Sequence, residues 1–206
     1  MALEVEVKYH IPKKELKGVR QRILDAGGEQ VVPRTLERNI VYDNPWRGLN
    51  ESKKVLRLRQ DHKVRITYKG PLTQFRPSEA KVREEIEIEV DDFQSADIII
   101  RKIGFEPRRM YEKYRETFHV AGTEVVLDEL PFGNFVEIEA ESEQSLREVS
   151  SLLGFAWEDR VLDSYLALLK LFNEHHNLKV RNLAFDSFTS VRGTISEALE
   201  ARKKGM

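Results

Sequence analysis

The sequence predicts an α+β fold: an antiparallel sheet, read as a closed β-barrel, with helices packed on its outside. Three observations favour it. Several segments alternate apolar and polar residues with the two-residue period of a strand. Segments of helical period are inserted among them rather than collected at one end. The polar sides of the strands carry charges that are sorted by sign.

The elements follow in order. Leu3-Glu4-Val5-Glu6-Val7-Lys8 alternates strictly and forms the first strand. Ile11-Pro12-Lys13-Lys14-Glu15 then opens a helix carrying Leu16, Val19, Ile23 and Leu24, which stops at Gly27-Gly28. Asn39 to Asp43 is a short β-rich run. Val55 to Arg59 and Val64 to Lys69 are strands on either side of the turn-like Asp61-His62-Lys63, and Lys69-Gly70-Pro71 marks the next turn. Val82 to Val90 places Ile86, Ile88 and Val90 on one face. Asp92 to Ile103 is a second helix, stopped by Gly104. Tyr111 to Phe118, Glu124 to Leu127 and Phe135 to Ala140 are strands joined at Ala121-Gly122 and Pro131-Phe132-Gly133-Asn134. Ser142 to Leu153 is a third helix, stopped by Gly154. A fourth spans Arg160 to Phe172 and is apolar around most of its circumference; its Tyr165, Leu168, Leu169 and Phe172 belong in a core rather than a ligand pocket. These boundaries divide the chain into a barrel domain, residues 1–172, and a polar appendage, residues 173–206. The appendage contains His175-His176, a helical pattern over Ile195 to Lys203, and the basic end Arg202-Lys203-Lys204.

Composition narrows the function classes. Thirty-four Lys and Arg against 35 Asp and Glu leave a formal charge of -1, whereas duplex nucleic-acid or membrane binding would favour a net basic surface. Without cysteine there is neither a disulfide framework nor a thiolate metal site. The acidic start does not read as a signal peptide, and no apolar stretch reaches bilayer length, so a soluble, cytoplasmic protein is expected. The sequence is compatible with a homodimer. No GxxxxGK[ST] and no GxSxG occurs, which removes the P-loop and the serine elbow as routes to chemistry.

Strand parity assigns the charges to shared faces. Glu4, Glu6 and Lys8 stand opposite Val5 and Val7, Arg57 and Arg59 opposite Leu56 and Leu58, and Arg65 and Lys69 opposite Ile66 and Tyr68. Arg83, Glu85 and Glu87 stand opposite Ile86 and Ile88; Lys113 with Arg115, and Glu137 with Glu139, continue the series. One reading is an open antiparallel sheet whose charged face meets water. The other is a closed sheet whose lumen holds water, cations and a polyanion together, since unpaired buried charge alone is prohibitive. Carboxylates two residues apart lie about 6.6–6.8 Å apart along a strand and can flank a metal from one side. Oxygen donors suit Mg²⁺ or Mn²⁺, with phosphate oxygens completing the shell. Arginine would grip phosphate by its fork and lysine as a point charge.

The chain resembles the CYTH proteins, or triphosphate tunnel metalloenzymes. Glu4-Val5-Glu6-Val7-Lys8 is similar to their ExExK signature. The likeness runs over roughly residues 3 to 170, through Val41-Tyr42-Asp43, Leu56-Arg57-Leu58-Arg59, Thr67-Tyr68-Lys69-Gly70-Pro71, Arg83-Glu84-Glu85-Ile86-Glu87 and Glu112-Lys113-Tyr114-Arg115. The stretch from Val126-Leu127-Asp128-Glu129 to Glu137-Ile138-Glu139 resembles most the CyaB-like, class IV adenylate cyclase-like branch. The resemblance implies a closed eight-stranded antiparallel β-barrel, a triphosphate tunnel in which Glu4, Glu6, Asp128, Glu137 and Glu139 are metal ligands. It implies phosphate contacts at Lys8, Arg57, Arg59, Lys69, Arg83, Lys113 and Arg115, with Glu85 and Glu87 supporting either set. Catalysis would then fall to Glu4, Glu6, Lys8 and Glu139, with Mg²⁺ or Mn²⁺. The substrate would be a triphosphate such as tripolyphosphate, ATP or thiamine triphosphate. Metal-dependent hydrolysis leads; cyclisation of ATP to cyclic AMP and non-catalytic sensing of polyphosphate or nucleotide are the alternatives.

Overall fold

In the computed structural model, which describes residues 2–71 and 78–205, eight strands close into one antiparallel barrel in the order β1-β5-β4-β3-β2-β6-β7-β8. They are β1 Ala2–Ile11, β2 Glu29–Asp43, β3 Val55–Gln60, β4 Val64–Gly70, β5 Lys81–Val90, β6 Glu106–Val120, β7 Thr123–Leu130 and β8 Gly133–Ala140. The helices are α1 Leu16–Asp25, the single turn α2 Gly48–Glu51, α3 Phe93–Lys102, α4 Glu143–Leu152, α5 Tyr165–His176 and α6 Ile195–Lys204. The side chain of Leu3, read with the outer face of β1, lies outside the described residues. Among the described residues no helix is long and apolar enough to cross a membrane.

Most of the hydrophobic core lies outside the barrel, because the two-residue period sends aliphatic side chains to the outer wall. Val5, Val7, Phe118, Val125, Val136 and Ile138 pack there against Val19 and Ile23 of α1 and Leu146 and Val149 of α4. Ala96 and Ile100 of α3 cover Tyr42 and Leu58. The helices do not cover every outward residue: Ile86 and Ile88 on β5 remain 48% and 56% exposed.

Two strands are much longer than alternation suggests. β2 begins ten residues before Asn39, and its register against β6 slips between Gln30/Val32, Val32/Thr35 and Val41/Tyr42. Each slip flips which side chains face the wall, so the polar stretch around Pro33 carries no readable period.

The fourth helix starts later than Arg160 and runs past Phe172. Val161 is spent on a β-bridge to Lys8, its N–H bonding the Lys8 carbonyl at 2.7 Å. Ser164 then caps α5, which continues to His176 and ends on Asn177 in the left-handed conformation. Beyond it the chain returns to the barrel. Leu183 pairs with Tyr111, and Leu183, Ile195, Ala198 and Leu199 are buried with Phe132, Phe135, Tyr165 and Phe172. Gly133 makes the docking of α6 possible: a Cβ there would stand 2.6 Å from Ile195 Cγ2.

Candidate functional site: a charged tunnel

Closure converts the sorted strand faces into one lining. A cavity of about 1210 Å³ runs into the barrel, walled by Glu4, Glu6 and Lys8 of β1 and by inward residues of the other strands. Its wall includes Arg57, Arg59, Lys69, Arg83, Glu85 and Glu87. Lys113, Arg115, Glu137 and Glu139 complete the set expected there. The structure therefore gathers all the expected site residues but one around a single space.

The first strand sets the pattern. Lys8 Nζ lies 2.8 Å from Glu6 Oε1 and 2.9 Å from Glu137 Oε2, and all three residues are buried. Glu6 also pairs with Lys81 of β5, opposite it in the register. Burial would raise the Glu6 carboxyl, but Lys8 and Lys81 outweigh it and bring it down to about 2. Burial likewise opposes ionisation of Glu137, and the charges of Lys8, Arg115 and Lys113 hold it well below the carboxylate range. These two carboxylates are occupied as counter-ions.

Two others are different. Glu139 has no ion-pair partner among the described residues; burial and the neighbouring Glu4, Glu137 and Glu124 push its carboxyl up to about 8. Glu4 pairs with Lys69, yet burial and Glu6 still raise it, and its Oε2 is buried without a hydrogen-bond partner. A buried orphan oxygen beside a carboxyl whose neighbours oppose its ionisation is the arrangement a hard cation would relieve. Among the described residues no three carboxylates or histidines stand close enough to enclose an ion alone. The donor set therefore fits a cation that shares its shell with phosphate oxygens and water, as Mg²⁺ does.

The cationic wall is held in place from behind. Arg57 donates to Thr67 Oγ1 and to the Tyr111 hydroxyl, each at 3.1 Å, with Glu85 and Glu87 at 3.8 and 3.6 Å. Burial would raise the Tyr111 phenol, but Arg57 and Arg59 pull it down. Arg59 stands 3.5 Å from Glu37, whose carboxyl is held well below its usual range by Arg59, Lys113 and Arg115 against the effect of burial.

Asp128, expected among the metal ligands, is the residue that does not line the cavity. It is wholly buried, on the same face as its cross-strand partner Arg115 and covered by it. Arg115 forks onto it at 2.7 and 2.6 Å, Lys113 donates to it at 3.0 Å, and the Tyr165 hydroxyl at 2.7 Å. In this arrangement its oxygens are taken by the Tyr165 hydroxyl and by cations that face the lumen.

Sequence reasoning missed Lys81, Tyr111, Glu124, Glu37 and Thr67. Lys81 precedes Arg83 by two residues and Tyr111 precedes Lys113 by two, so extending the alternation one step would have found both. Glu37 lies on the bulged strand, where no period announces it.

Comparisons with known proteins agree with this architecture. A protein of Methanocaldococcus jannaschii provisionally named an adenylate cyclase is 28% identical over 193 residues, covering 93% of this chain and 99% of its own. The X-ray structure of a Vibrio parahaemolyticus protein, also provisionally named an adenylate cyclase, superposes with a TM-score of 0.69 at 23% identity, covering 82% of this chain and 98% of that one. A Hippeastrum protein, provisionally an adenylyl cyclase and described as having a dominant triphosphatase activity, gives a TM-score of 0.55 at 20% identity, covering 82% and 95% of the two chains. Residues 2–149 match the CYTH domain family itself. A closed barrel with its charges turned inward, matched over most of its length, is thus accounted for: the chain belongs to the CYTH domain family.

Proposed function

We propose that the tunnel binds a triphosphate together with a divalent cation and hydrolyses it. The observation that carries this reading is the division of labour in the lining. Lys8, Arg57, Lys113 and Arg115 are fixed by buried partners and face the lumen, while Glu4 and Glu139 are carboxyls whose ionisation nothing nearby fully compensates. A pure polyanion receptor gains nothing from that second set.

In this reading Arg57 and Arg115 orient phosphate oxygens through their forks, and Lys8, Lys69 and Lys113 add charge without fixing direction. Glu4 and Glu139, with Glu6 beside them, would hold Mg²⁺ or Mn²⁺, which when bound neutralises phosphate oxygens and activates water. The positions of Lys8 and Arg115 favour the charge that develops on the departing phosphate, so catalysis is positioning and electrostatics. The closed wall limits water to what enters by the mouths.

A second reading, cyclisation of ATP, is favoured by the provisional names of relatives such as the M. jannaschii protein. It uses the same grip on the triphosphate but requires the nucleoside to be held as well. Product analysis separates the two. ATP, thiamine triphosphate and tripolyphosphate are each incubated with Mg²⁺ or Mn²⁺ and the products resolved by chromatography. Orthophosphate release, with tripolyphosphate turned over at least as well as ATP, supports hydrolysis. Cyclic AMP and pyrophosphate from ATP, with tripolyphosphate untouched, would replace it with the cyclase. Binding without turnover would leave a sensor.

A further inference from the structure

The mouth of the tunnel beside α5 carries positive charge that the triphosphate reading does not use. Arg47, Arg109 and Arg181 all line the same cavity as Lys8 and Arg57, but at its rim, and all three are exposed. Among the described residues none has a carboxylate within ion-pair distance; Arg109 donates only to the Arg108 carbonyl, at 3.0 Å. Partial burial and the charges of Arg181 and Arg47 push the Arg109 guanidinium below the ordinary arginine range, so Arg109 feels both of the other two charges across the cavity they share.

Their convergence is built by the backbone. Arg109 sits on β6 opposite Val41. Arg181 is brought alongside because the next two residues are tied to the same strand. Asn182 Oδ1 accepts the Met110 N–H at 3.1 Å, and the Leu183 N–H bonds the Met110 carbonyl at 3.0 Å. Arg47 comes from the loop after β2, which the buried Asp43 carboxylate organises by accepting the N–H groups of Asn44, Leu49 and Asn50 at 2.8–3.0 Å. Three like charges held together without a partner cost stability unless an anion uses them.

We propose that Arg47, Arg109 and Arg181 form a second anion site at the tunnel mouth, which takes the fourth and later phosphates of a linear polyphosphate whose end lies in the tunnel. The proposal rests on the reading of the tunnel as a triphosphate site. Inorganic polyphosphate is favoured over a triphosphorylated polynucleotide because bases need stacking surfaces, and the exposed aromatic nearest the site, Trp46 beside Arg47, is not among the residues that line the cavity. The tyrosines lining the cavity, Tyr42, Tyr111 and Tyr165, are buried; of the aliphatic residues of this wall, Leu169 belongs to the core cluster under α5, and Leu166 and Leu178 are partly buried against it.

The test is calorimetric titration of the intact chain, without divalent metal so that nothing turns over, at one fixed ionic strength. The ligands are tripolyphosphate, a linear polyphosphate several times longer, and an oligonucleotide bearing a 5′-triphosphate. The variants are R109A/R181A and R47A, with K204A as a control for loss of a distant charge. The wild type binds the longer chain about tenfold more tightly than tripolyphosphate, the scale of one charge-assisted contact. R109A/R181A loses that preference and keeps its affinity for tripolyphosphate; R47A loses part of it; K204A loses none. A preference that survives in R109A/R181A would overturn the mouth site, as would an equal loss with K204A. A larger loss for the oligonucleotide than for polyphosphate would overturn the choice of ligand. Polyphosphate binding that depends on these arginines, with no binding of tripolyphosphate to the wild type, would keep the mouth site and refute the tunnel reading.

Discussion

Tyr165 donates its phenolic hydrogen to Asp128 Oδ2 at 2.7 Å, joining the first turn of α5 to the carboxylate that holds Arg115 and Lys113. Burial and the charges of Asp128 and Glu137 raise the Tyr165 hydroxyl well above its ordinary range, so it stays a donor at every working pH. Tyr165→Phe should cost about 1–2 kcal/mol of stability, the usual consequence of leaving a buried acceptor short of a partner. Apparent KM for tripolyphosphate should rise several-fold with kcat less affected, because Arg115 and Lys113 lose part of their orientation. Melting curves and steady-state kinetics on one preparation check both.

Asp128→Asn removes the countercharge of two buried cations and should destabilise the metal-free protein by about 3 kcal/mol. Tripolyphosphate should restore much of the loss, since it supplies negative charge to the same groups. Thermal melts with and without tripolyphosphate measure this. Affinity for Mn²⁺ alone should change little if Asp128 supports cations rather than binding the metal.

Glu137→Gln and Glu139→Gln should differ in sign for the empty protein. Glu137 neutralises Lys8 and Arg115, so its loss destabilises at neutral pH. The Glu139 carboxyl is raised to about 8, so its favourable contribution is full below the unfolded value and is lost as pH rises toward 8. Glu139→Gln should therefore be more stable than wild type by about 1–3 kcal/mol at pH 9, with the difference vanishing near pH 4. Both substitutions should abolish turnover. Denaturant titrations at several pH values decide the sign.

Arg57→Lys keeps the charge at its position but loses the fork that reaches Thr67 and the Tyr111 hydroxyl together. Affinity for tripolyphosphate should fall about tenfold and turnover further, while Arg57→Ala weakens binding by about a hundredfold. Full recovery in the lysine variant would mean that field strength alone matters at this position.

Much of this barrel was legible because alternation states both the strand and its two faces. Glu4, Glu6 and Lys8 could be assigned to one space from parity alone, and closure then brought Glu137 and Glu139 beside them. Pairing was not legible: nothing in either strand's own sequence puts Lys8 opposite Glu137, which a one-residue slip would replace by another neighbour. Asp128 shows the limit. Its parity is that of a lumen residue, but Arg115 and Lys113 reach it first and fill its oxygens. Ile195, Ala198 and Leu199 have the spacing of an apolar helical stripe, but the surrounding polar residues hid the burial of that helix against Phe132 and Phe135.

The interleaving of inward and outward residues along each strand has a consequence for how such a protein can change. Ile138 answers to the helices and Glu139, its neighbour, to whatever occupies the lumen. A strand of this kind carries two messages in alternate letters, one specifying architecture and the other chemistry. The messages are separable where an inward side chain stands alone, as Glu139 does, and entangled where it neutralises another, as Glu137 does with Lys8. New specificities are therefore most accessible at the unpaired letters, where the chemistry can be rewritten while the architecture is left standing.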